Sequence, residues 1–381
     1  MLKSIRLVNF YSFKDTTIEL NRGVNVLVGI NGSGKSNFLK LFELLNEAIK
    51  GRRLRRHILE IGGINEILYQ GERKDKEISI TLEFENSKNA LQNSLKRLYY
   101  KINIIPTQTE YYLREWAWNE EHTYFSKENN HVIFDDENDE TFVNSNALEL
   151  LPSHNLRYLD TLFSNFVTHL NEISYIHYID TTTESPIRKP VLSVPEMELS
   201  HNGDNLVQVL STLKTNDKKT YKKVVDALQS VNPHFKDFDF RPFGTNFEML
   251  LEEDGLNRSI HLSKVSDGTL RYLCLITALI TNRKSVLCID EPETGLHPDM
   301  LYNLAQAIKE AGETSTIIIS THSTQLLNYF DLETVRVFEK DEQNATQIYA
   351  YSENDFKGWY ETFQVGTMWR QGDIGGNRYG N

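Results

Sequence analysis

The sequence of 381 residues predicts an α/β fold, and three segments support that prediction. An apolar run at 24–28 is followed by a glycine-rich stretch and then by apolar residues at helical spacing, which indicates strand, loop and helix in that order. A second apolar run at 285–289 ends in two acidic residues, and a third at 317–319 is followed by a histidine. Strand-sized apolar runs separated by helical segments are typical of a buried sheet covered by helices.

Composition excludes several classes of protein. Hydrophobic residues make up 39% of the chain and charged residues 25%, which is typical of a globular protein rather than a disordered one. The formal net charge of −12 argues against a protein that binds nucleic acid through its overall charge. The two cysteines, Cys274 and Cys288, lie in apolar runs and are predicted to be buried thiols. The sequence has no run of about 18 apolar residues and no signal peptide at its start, so we expect a cytoplasmic protein without membrane contact.

Residues 29–36 have the pattern G-x-x-x-x-G-K-S of a phosphate-binding loop. Its glycines let backbone N–H groups curl around phosphates without a Cβ in the way, and the following helix N-terminus adds partial positive charge. Lys35 is predicted to reach the β- and γ-phosphates, and the Ser36 hydroxyl to ligate Mg²⁺. A chance glycine-rich turn is the alternative, which the flanking strand and helix disfavour. The predicted nucleotide-binding residues are Gly29, Asn31, Gly32, Ser33, Gly34, Lys35, Ser36 and Asn37.

Two acidic residues and a histidine follow the other two predicted strands. Asp290 and Glu291 come directly after the second apolar run, at the strand end where α/β sheets bind ligands. Asp290 is therefore predicted to hold Mg²⁺, and Glu291 to deprotonate the attacking water. A pair of surface acids is the alternative, which the preceding apolar run and Pro292 disfavour. A histidine such as His322 at a strand end is more often structural than catalytic. Only the accompanying phosphate-loop and acid-pair motifs favour a catalytic role for it.

The N-terminal part of the sequence predicts strands and one basic cluster. Strands are expected at 3–8 and 16–20, in one sheet with the strand at 24–28, and at 78–84. The basic cluster follows the first helix, and a solvated helix end is favoured over contact with a phosphate backbone or a partner. Its members are Lys50, Arg52, Arg53, Arg55, Arg56 and His57.

Residues 87–170 are interpreted as an inserted α+β segment. Leucines at 91–98 suggest a short helix, whereas the alternating, aromatic-rich stretch 99–134 favours strands. The acidic run 135–140 is interpreted as a solvated hairpin tip, and helical spacing returns at 156–173. No heptad repeat is sustained, so a long coiled-coil arm is excluded.

The second half adds a strand-like run at 173–179 and the motif Ser266-Asp267-Gly268-Thr269, which on its own is an N-capped helix start. Together, in order and spacing, the motifs resemble an ATP-binding-cassette (ABC) ATPase head of the RecF-like and OLD-like class (overcoming lysogenisation defect). This class is related to structural-maintenance-of-chromosomes (SMC) proteins and is found in bacterial antiphage defence. The resemblance implies a mixed-sheet lobe, a helical signature lobe and the inserted segment. In its terms, 29–36 is Walker A, 265–269 the signature motif, 287–291 Walker B, 293–298 the D-loop and His322 the switch histidine.

The resemblance is incomplete at three places. The signature departs from Leu-Ser-Gly-Gly-Gln but keeps a serine and a glycine. The glutamine-bearing loop of the family has no convincing match, because Gln70 lies too early in the chain; residues 180–190 are expected to replace it, with Arg188 as a candidate. The N-terminal pattern also makes Lys14 a candidate nucleotide contact.

The resemblance implies that the protein binds and hydrolyses ATP with Mg²⁺, as a head-to-tail homodimer or a higher oligomer of dimers. Ser266 and Gly268 are then expected to contact the γ-phosphate of the ATP held by the other chain. ATP closes the dimer and hydrolysis opens it. The residues assigned to catalysis are Lys35, Glu291 and His322, and those assigned to the metal are Ser36 and Asp290.

The resemblance covers about residues 1–85 and 170–340, and we interpret 1–350 as one ATPase head. The remaining tail contains six glycines from residue 358 onward, together with aromatic residues. Such a tail is equally well interpreted as a disordered end or as a segment that docks onto a partner. The predicted divisions are 1–86, 87–170, 171–350 and 351–381.

The leading hypothesis for function is a nucleotide-driven switch that controls a separate effector, a nuclease or a toxin, in antiphage defence. The chain ends about 60 residues after His322, so we expect no Toprim nuclease domain of the kind found in OLD nucleases. One alternative is a RecF-like repair ATPase that clamps duplex DNA, which the basic cluster favours and the net acidity disfavours. The other is a scaffold that binds ATP without hydrolysing it, which Glu291 disfavours.

Overall fold

The structure of the chain is a computed structural model. The α/β class predicted from the sequence is confirmed, with three sheets and helices packed on them. The described residues are 1–49, 53–72, 76–85, 97–108, 110–129, 131–136, 139–144, 149–150, 167–176, 178–356 and 364–376.

A six-stranded sheet lies at the centre of the fold. Its strand order is β10-β14-β15-β3-β16-β17, and the first five strands are parallel, whereas β17 pairs with β16 in the antiparallel sense. The central strands are buried along their whole length, as expected of strands covered by helices on both faces. The strands are β3 (Val24–Gly29), β10 (Ile173–Ile176), β14 (Val286–Ile289), β15 (Thr316–Ser320), β16 (Val335–Lys340) and β17 (Thr346–Ala350).

The second sheet has eight antiparallel strands in the order β2-β1-β4-β5-β6-β7-β8-β9. The prediction that the first two strands share a sheet with β3 is therefore wrong. Buried and half-buried positions alternate along β4, and buried positions alternate with more exposed ones over residues 5–9 of β1, which is typical of antiparallel strands with one wet face, whereas β3 is buried throughout. The strands are β1 (Leu2–Phe10), β2 (Phe13–Glu19), β4 (Ile78–Glu85), β5 (Arg97–Pro106), β6 (Tyr111–Asn119), β7 (Thr123–Glu128), β8 (His131–Asp136) and β9 (Asp139–Asn144).

Strands β5–β9 continue the sheet that β1 and β4 begin. The strands predicted in the aromatic-rich stretch are confirmed, and the acidic run lies at the turn of a hairpin in which Asp136 pairs with Asp139. Leu98 lies in β5, so the predicted helix is wrong at its described end; Leu91 and Leu95 lie outside the described residues. Of the helical spacing predicted up to residue 173, the described part is helical at 167–171.

A small three-stranded sheet and the helices complete the fold. The sheet has the order β11-β12-β13, with β11 (Phe235–Phe243), β12 (Asn246–Glu253) and β13 (Ile260–His261). The helices are α1 (Lys35–Ile49), α2 (Leu54–Glu60), α3 (Ile64–Ile67), α4 (Leu206–Asn216), α5 (Lys218–Gln229), α6 (Asp267–Thr281), α7 (Met300–Gly312), α8 (Thr324–Leu327) and α9 (Val365–Gln371).

Two hydrophobic clusters form the core. The first joins α1 to both large sheets, because Phe38 and Leu41 of α1 are buried together with Ile80 of β4 and Ile318 of β15. The second covers the opposite face of the central sheet and contains the apolar sides of α4–α8. Cys274 and Cys288 are buried free thiols, as predicted. The helix that follows the phosphate loop is thus held between the two large sheets.

The C-terminal segment packs onto its own chain where it is described. Val365, Met368 and Ile374 are buried, and a Cβ on Gly366 would lie 2.0 Å from the carbonyl oxygen of Thr324 at the start of α8. A disordered end does not describe residues 364–376, because α9 buries its apolar side chains against the head, whereas docking of the tail onto a partner stays a prediction. Residues 357–363 and 377–381 lie outside the described residues.

A buried ion pair stabilises the eight-stranded sheet. Lys127 and Glu115 are both 0% exposed, with 2.8 Å between Nζ and Oε1, and Tyr100 donates its hydroxyl to Glu115 at 2.5 Å. Lys127 also donates to the carbonyl of Glu149. Removing one ion leaves the other charge buried and unpaired, which is strongly destabilising.

We expect Lys127→Met to lower the free energy of unfolding by about 3–5 kcal/mol, measured by urea unfolding. The matched control is Lys101→Met on the neighbouring strand, where the lysine is half-buried and lies over the ring of Trp116, and its cost should stay below about 1 kcal/mol. Equal, small effects of the two substitutions would contradict the structural importance of the buried pair.

Candidate nucleotide-binding site

Three neighbouring parallel strands deliver the predicted site residues to one edge of the central sheet. In the order β14-β15-β3, Ile289 lies opposite Ile319, and Ser320 lies opposite Leu27. The chain beyond β15 continues beside β3, because the Thr321 N–H donates to the Leu27 carbonyl at 3.0 Å. Since the carboxyl ends of parallel strands meet at one edge, the phosphate loop, the acid pair and the histidine come together there.

The phosphate loop is tightly packed from behind. A Cβ on Gly34 would lie 2.3 Å from Thr346 Oγ1, so this close approach, together with a φ of +113°, requires glycine. The Thr346 hydroxyl lies 2.8 Å from the Ser33 carbonyl and from the Ser12 hydroxyl. The Ser33 hydroxyl itself is buried and has no hydrogen-bond partner among the described residues. The loop is thus fixed by β17 and by the turn between β1 and β2.

Lys35 lies at the centre of the site. It is 5% exposed, and its Nζ donates to the carbonyl of Gly29 at 2.8 Å and of Ile30 at 3.3 Å. Burial lowers the pKa of Lys35 to about 8, and the charges of Glu291 and Asp290 partly offset this effect. The lysine of the phosphate loop and the two acids after β14 are therefore within electrostatic range of one another, as their motifs predict.

The two acids are held in different ways. The Ser320 hydroxyl donates to Asp290 Oδ1 and accepts from the Glu291 N–H at 3.1 Å, so β15 anchors the turn that carries both acids. Glu291 has a φ of +44°, which is uncommon for a residue other than glycine. Its carboxylate accepts from Thr294 Oγ1 at 3.1 Å and is 45% exposed, so solvent reaches it. A strained backbone at the acid pair is a recurrent feature of functional sites.

His322 faces the same carboxylate. Its Nε2 lies 3.6 Å from Glu291 Oε1. Burial, and then the charge of Lys35, lower the pKa of His322, while Glu291 and Asp290 act in the opposite direction. The imidazole is therefore neutral at pH 7 and can donate one N–H at a time.

The sequence motifs gave no role to Glu293, which the structure places directly behind His322. Glu293 Oε1 accepts from Thr321 Oγ1 at 2.6 Å and from the backbone N–H groups of His322 and Ser323 at 2.9 and 3.2 Å. Burial raises the pKa of Glu293, and these hydrogen bonds act against the rise. The resemblance placed this residue only within the D-loop. The carboxylate of Glu293 accepts hydrogen bonds from a segment about 30 residues further along the chain. No local sequence pattern indicates such contacts.

The signature motif forms a separate surface. Ser266 caps α6, accepting from the Thr269 N–H at 3.1 Å, as the sequence predicted. Among the described residues, no hydrogen bond joins Ser266 or Gly268 to the phosphate loop or to the acid pair of the same chain. Instead, a Cβ on Gly268 would lie 2.8 Å from the Gly295 carbonyl oxygen. The signature motif thus lies next to the D-loop, and Ser266 is exposed to solvent.

The remaining candidates lie beside the phosphate loop or away from it. Asn31 and Ser36 are exposed, no atom lies within 4 Å of a Cβ built on Gly32, and the Asn37 side chain donates to the Ser12 hydroxyl at 3.1 Å. A cleft of about 360 Å³ adjoins the loop. It is lined by Tyr11, Ser12, Asn37, Glu66, Leu68, Tyr69, Gln70, Gly71, Lys340, Gln343 and Asn344.

Two candidates raised by the resemblance, Lys14 and Arg188, and the dismissed Gln70 make contacts elsewhere. Lys14 is half-buried and donates to Gln343 Oε1 at 2.8 Å. The Gln70 side chain donates to the carbonyls of Asn65 and Leu68 on its own turn. Arg188 makes no hydrogen bond to the phosphate loop or the acid pair among the described residues, and its contacts are taken up below.

Two arginines of the basic cluster have acidic partners. Arg55 pairs with Glu110 and Arg56 pairs with Glu60, whereas His57 is buried and Arg53 is exposed. Lys50 and Arg52 lie outside the described residues. A solvated helix end with local acidic partners fits these contacts better than a free basic patch.

Two features are absent from the described part of the chain. No group of three or more His, Cys, Asp or Glu side chains is arranged to hold a metal ion. No helix in the described part of the chain is long and apolar enough to cross a membrane.

The fold and the site define an ATPase head of the SMC and RecF type, in which a phosphate loop and an acid pair meet at the ends of parallel strands. Residues 24–328, more than half of the chain, match the family described as "AAA domain, putative AbiEii toxin, Type IV TA system". The chain belongs to this family, and it is an ATPase.

Full-length relatives are consistent with this assignment. A Helicobacter pylori protein named ATP/GTP phosphatase is 23% identical over 380 residues, covering 93% of each chain. The DNA replication and repair protein RecF of Clostridium beijerinckii is 24% identical over 370 residues, covering 88% of this chain and 96% of RecF. Both similarities extend well beyond the phosphate loop.

Solved structures share the fold. A crystal structure of an Smc head bound to the C-winged-helix domain of ScpA matches with a TM-score of 0.60 and 13% identity, over 93% of this chain and 99% of that one. An Smc head with an extended coiled coil, bound to the C-terminal domain of ScpA from Pyrococcus furiosus, matches with a TM-score of 0.60 and 11% identity. This match covers 94% of this chain and 98% of that one. The ABC head fold expected from the resemblance is confirmed.

Proposed function

We propose that the protein is an ATP-hydrolysing, head-to-tail dimer that works as a nucleotide-driven switch for a separate effector. One observation carries the proposal. Lys35, Glu291 and His322 converge at the ends of adjacent strands, while the exposed Ser266 and the half-buried Gly268 lie elsewhere on the same chain. The catalytic surface and the signature surface are each half of an ABC site, so a second copy would complete both.

The chemistry of the first half-site fits ATP with Mg²⁺. Asp290 and the exposed Ser36 hydroxyl offer oxygen ligands, and Mg²⁺ usually takes one or two carboxylates together with substrate phosphates. The unpartnered, buried hydroxyl of Ser33 is the kind of orphan polar group that a bound ligand satisfies. The cleft of about 360 Å³ beside the loop offers room for the nucleoside. Bound Mg²⁺ would supply charge neutralisation at the phosphates.

The residues of the site would divide the reaction among them. Lys35, charged at pH 7, would bind the β- and γ-phosphates, whose charge favours its protonated form. Glu291, exposed to water and oriented by Thr294, would accept a proton from the attacking water. His322, neutral and held through its backbone by Glu293, would donate an N–H to the γ-phosphate.

The signature of the second chain would complete the site. Ser266 and the N-terminus of α6 present a hydroxyl and backbone N–H groups, which suit an anionic phosphate. In this arrangement ATP is bound between two copies, so its binding favours the closed dimer and its hydrolysis releases it. Higher oligomers of such dimers are compatible with the same contacts.

The effector is proposed to be a second polypeptide, a toxin or a nuclease, acting in antiphage defence. The family description names a putative AbiEii toxin of a type IV TA system, which supports a place for this chain in toxin–antitoxin chemistry. The Smc heads of similar fold are crystallised with a partner, ScpA, which supports docking of a second protein on such a head. The alternative, a RecF-like clamp on DNA, is supported by the similarity to RecF, whereas the acidic partners of Arg55 and Arg56 weaken it.

We expect the Glu291→Gln protein to double its mass in light scattering when ATP and Mg²⁺ are added, because bound ATP is no longer consumed. The control is the double variant that also carries Lys35→Ala, which should remain at the lower mass. The same samples, mixed with the product of the neighbouring gene, test the switch: attachment of that protein should change with ATP. A mass indifferent to ATP, with the neighbour bound throughout, would contradict the switch and favour a preassembled scaffold.

A further inference from the structure

Arg188 connects the loop after β10 to the signature motif. It ends a short 3₁₀ turn, Pro186–Arg188, and its side chain is only 3% exposed. Nε donates to the Thr181 carbonyl at 2.9 Å, within its own loop. Nη1 donates to the carbonyls of Leu262 and Val265, the latter at 2.9 Å, and Nη2 donates to Asp267 Oδ1 at 2.6 Å. The guanidinium therefore joins two segments that are about 75 residues apart in the chain.

These contacts enclose Ser266. Val265 and Asp267 are its two chain neighbours, and Leu262 begins the 3₁₀ turn that leads into it. Arg188 holds a backbone carbonyl on one side of Ser266 and a carboxylate on the other, which fixes the segment that aims the serine hydroxyl. Only the planar fork of an arginine makes these contacts at once, since an ammonium group has no second arm.

We propose that Arg188 is a positioning residue for the signature motif, and that it therefore acts on the ATP held by the partner copy rather than on the ATP of its own chain. The inference rests on the proposed head-to-tail dimer. It assigns to the loop 180–190 a task different from that of a glutamine reaching into its own site. No hydrogen bond from Arg188 leads to the phosphate loop or the acid pair among the described residues, and three of its four lead to the residues around Ser266.

Mixed dimers separate the two possibilities. A chain with Arg188→Ala has an intact Walker A surface and a defective signature, whereas a chain with Lys35→Ala has the opposite defect. A dimer of one of each contains one site built entirely from intact halves. With random pairing, about a quarter of all sites are then intact, so an equimolar mixture should regain at most about a quarter of the wild-type rate, and less where the two sites of a dimer depend on each other. Each variant alone should hydrolyse ATP slowly.

Two further mixtures provide the comparison. Ser266→Arg with Lys35→Ala is the positive control for pairing, and Arg188→Ala should recover as much activity with Lys35→Ala as this control does. Arg188→Ala mixed with Ser266→Arg should recover nothing, because both defects lie on the signature side. If Arg188→Ala is instead rescued by Ser266→Arg and not by Lys35→Ala, Arg188 acts within its own site and the inference is wrong. If the positive control itself stays inactive, the head-to-tail dimer fails, and the inference fails with it.

A milder variant tests the same inference with less risk of unfolding the protein. Asp267 has a 70% exposed side chain, so Asp267→Ala removes one contact of Arg188 without opening the core. We expect it to lower turnover about 10-fold and Arg188→Ala about 100-fold, with the same rescue pattern for both. Binding of a fluorescent ATP analogue to the isolated chain should be unchanged in both, since that chain supplies only Walker A. Weakened binding by the monomer, or rescue by neither partner, would overturn the positioning role.

Discussion

We expect Glu291→Gln to lower the ATP turnover number by about 10²- to 10⁴-fold, because an amide cannot accept the proton of the attacking water. The substitution keeps the size of the side chain and its contact with Thr294, so the site should retain its shape. ATP should still bind, since Lys35 and the phosphate loop are untouched. The measurement is single-turnover hydrolysis of radiolabelled ATP, which reports the chemical step rather than product release.

The matched control for this variant is Glu310→Gln, which replaces an exposed glutamate of α7 outside the acid pair. Its turnover should equal that of the wild type. Turnover near wild type in Glu291→Gln would remove Glu291 from the role of general base. A loss of ATP binding together with turnover would instead mean that the carboxylate is needed to build the site.

Lys35→Ala should abolish ATP binding. The lysine is the one cation of the phosphate loop, and its Nζ donates to the carbonyls of Gly29 and Ile30 within that loop. Replacing it removes the charge that opposes the phosphates in a site which already contains Asp290 and Glu291. We expect affinity to fall by at least about 100-fold, measured by titration calorimetry.

The control for Lys35→Ala is Lys223→Ala, which removes an exposed lysine from α5. ATP should bind this protein as tightly as it binds the wild type. Thermal unfolding without nucleotide provides a second readout. Because burial disfavours the charged form of Lys35, removal of this lysine should not destabilise the head. Tight ATP binding by Lys35→Ala would overturn the assignment of the phosphate loop.

The parts of the site that the sequence predicts are those encoded by neighbouring residues. The phosphate loop needs glycines, a lysine and a serine at fixed spacing between a strand and a helix, and each of these signals is local. Asp290 and Glu291 were located by the apolar run before them, and the N-cap position of Ser266 was also a local signal, whereas its role in the site came only from the resemblance. The structure confirms the strand before the acid pair and the N-cap, while the roles of these residues stay predictions.

The parts that the sequence does not predict depend on contacts between distant segments. No sequence pattern in β1 indicates which sheet this strand joins. Only its pairing with β4 shows that β1 and β3 belong to different sheets. Glu293 and Arg188 were given no supported role because their partners are about 30 and 75 residues away. The C-terminal glycines suggested disorder, yet Gly366 is small because α9 lies directly against α8. Long-range packing decides all of these.

The contact between Gly268 and Gly295 has a consequence for kinetics. The Gly295 loop follows the acid pair, whereas Gly268 belongs to the surface that serves the other site in the proposed dimer, and a Cβ on Gly268 would lie 2.8 Å from the Gly295 carbonyl oxygen. In the proposed symmetric dimer each chain would therefore link the two ATP molecules mechanically, so that a movement at one acid pair displaces the signature at the opposite site. We expect the two sites to be coupled, which would be measured as a Hill coefficient of ATP hydrolysis that differs from one.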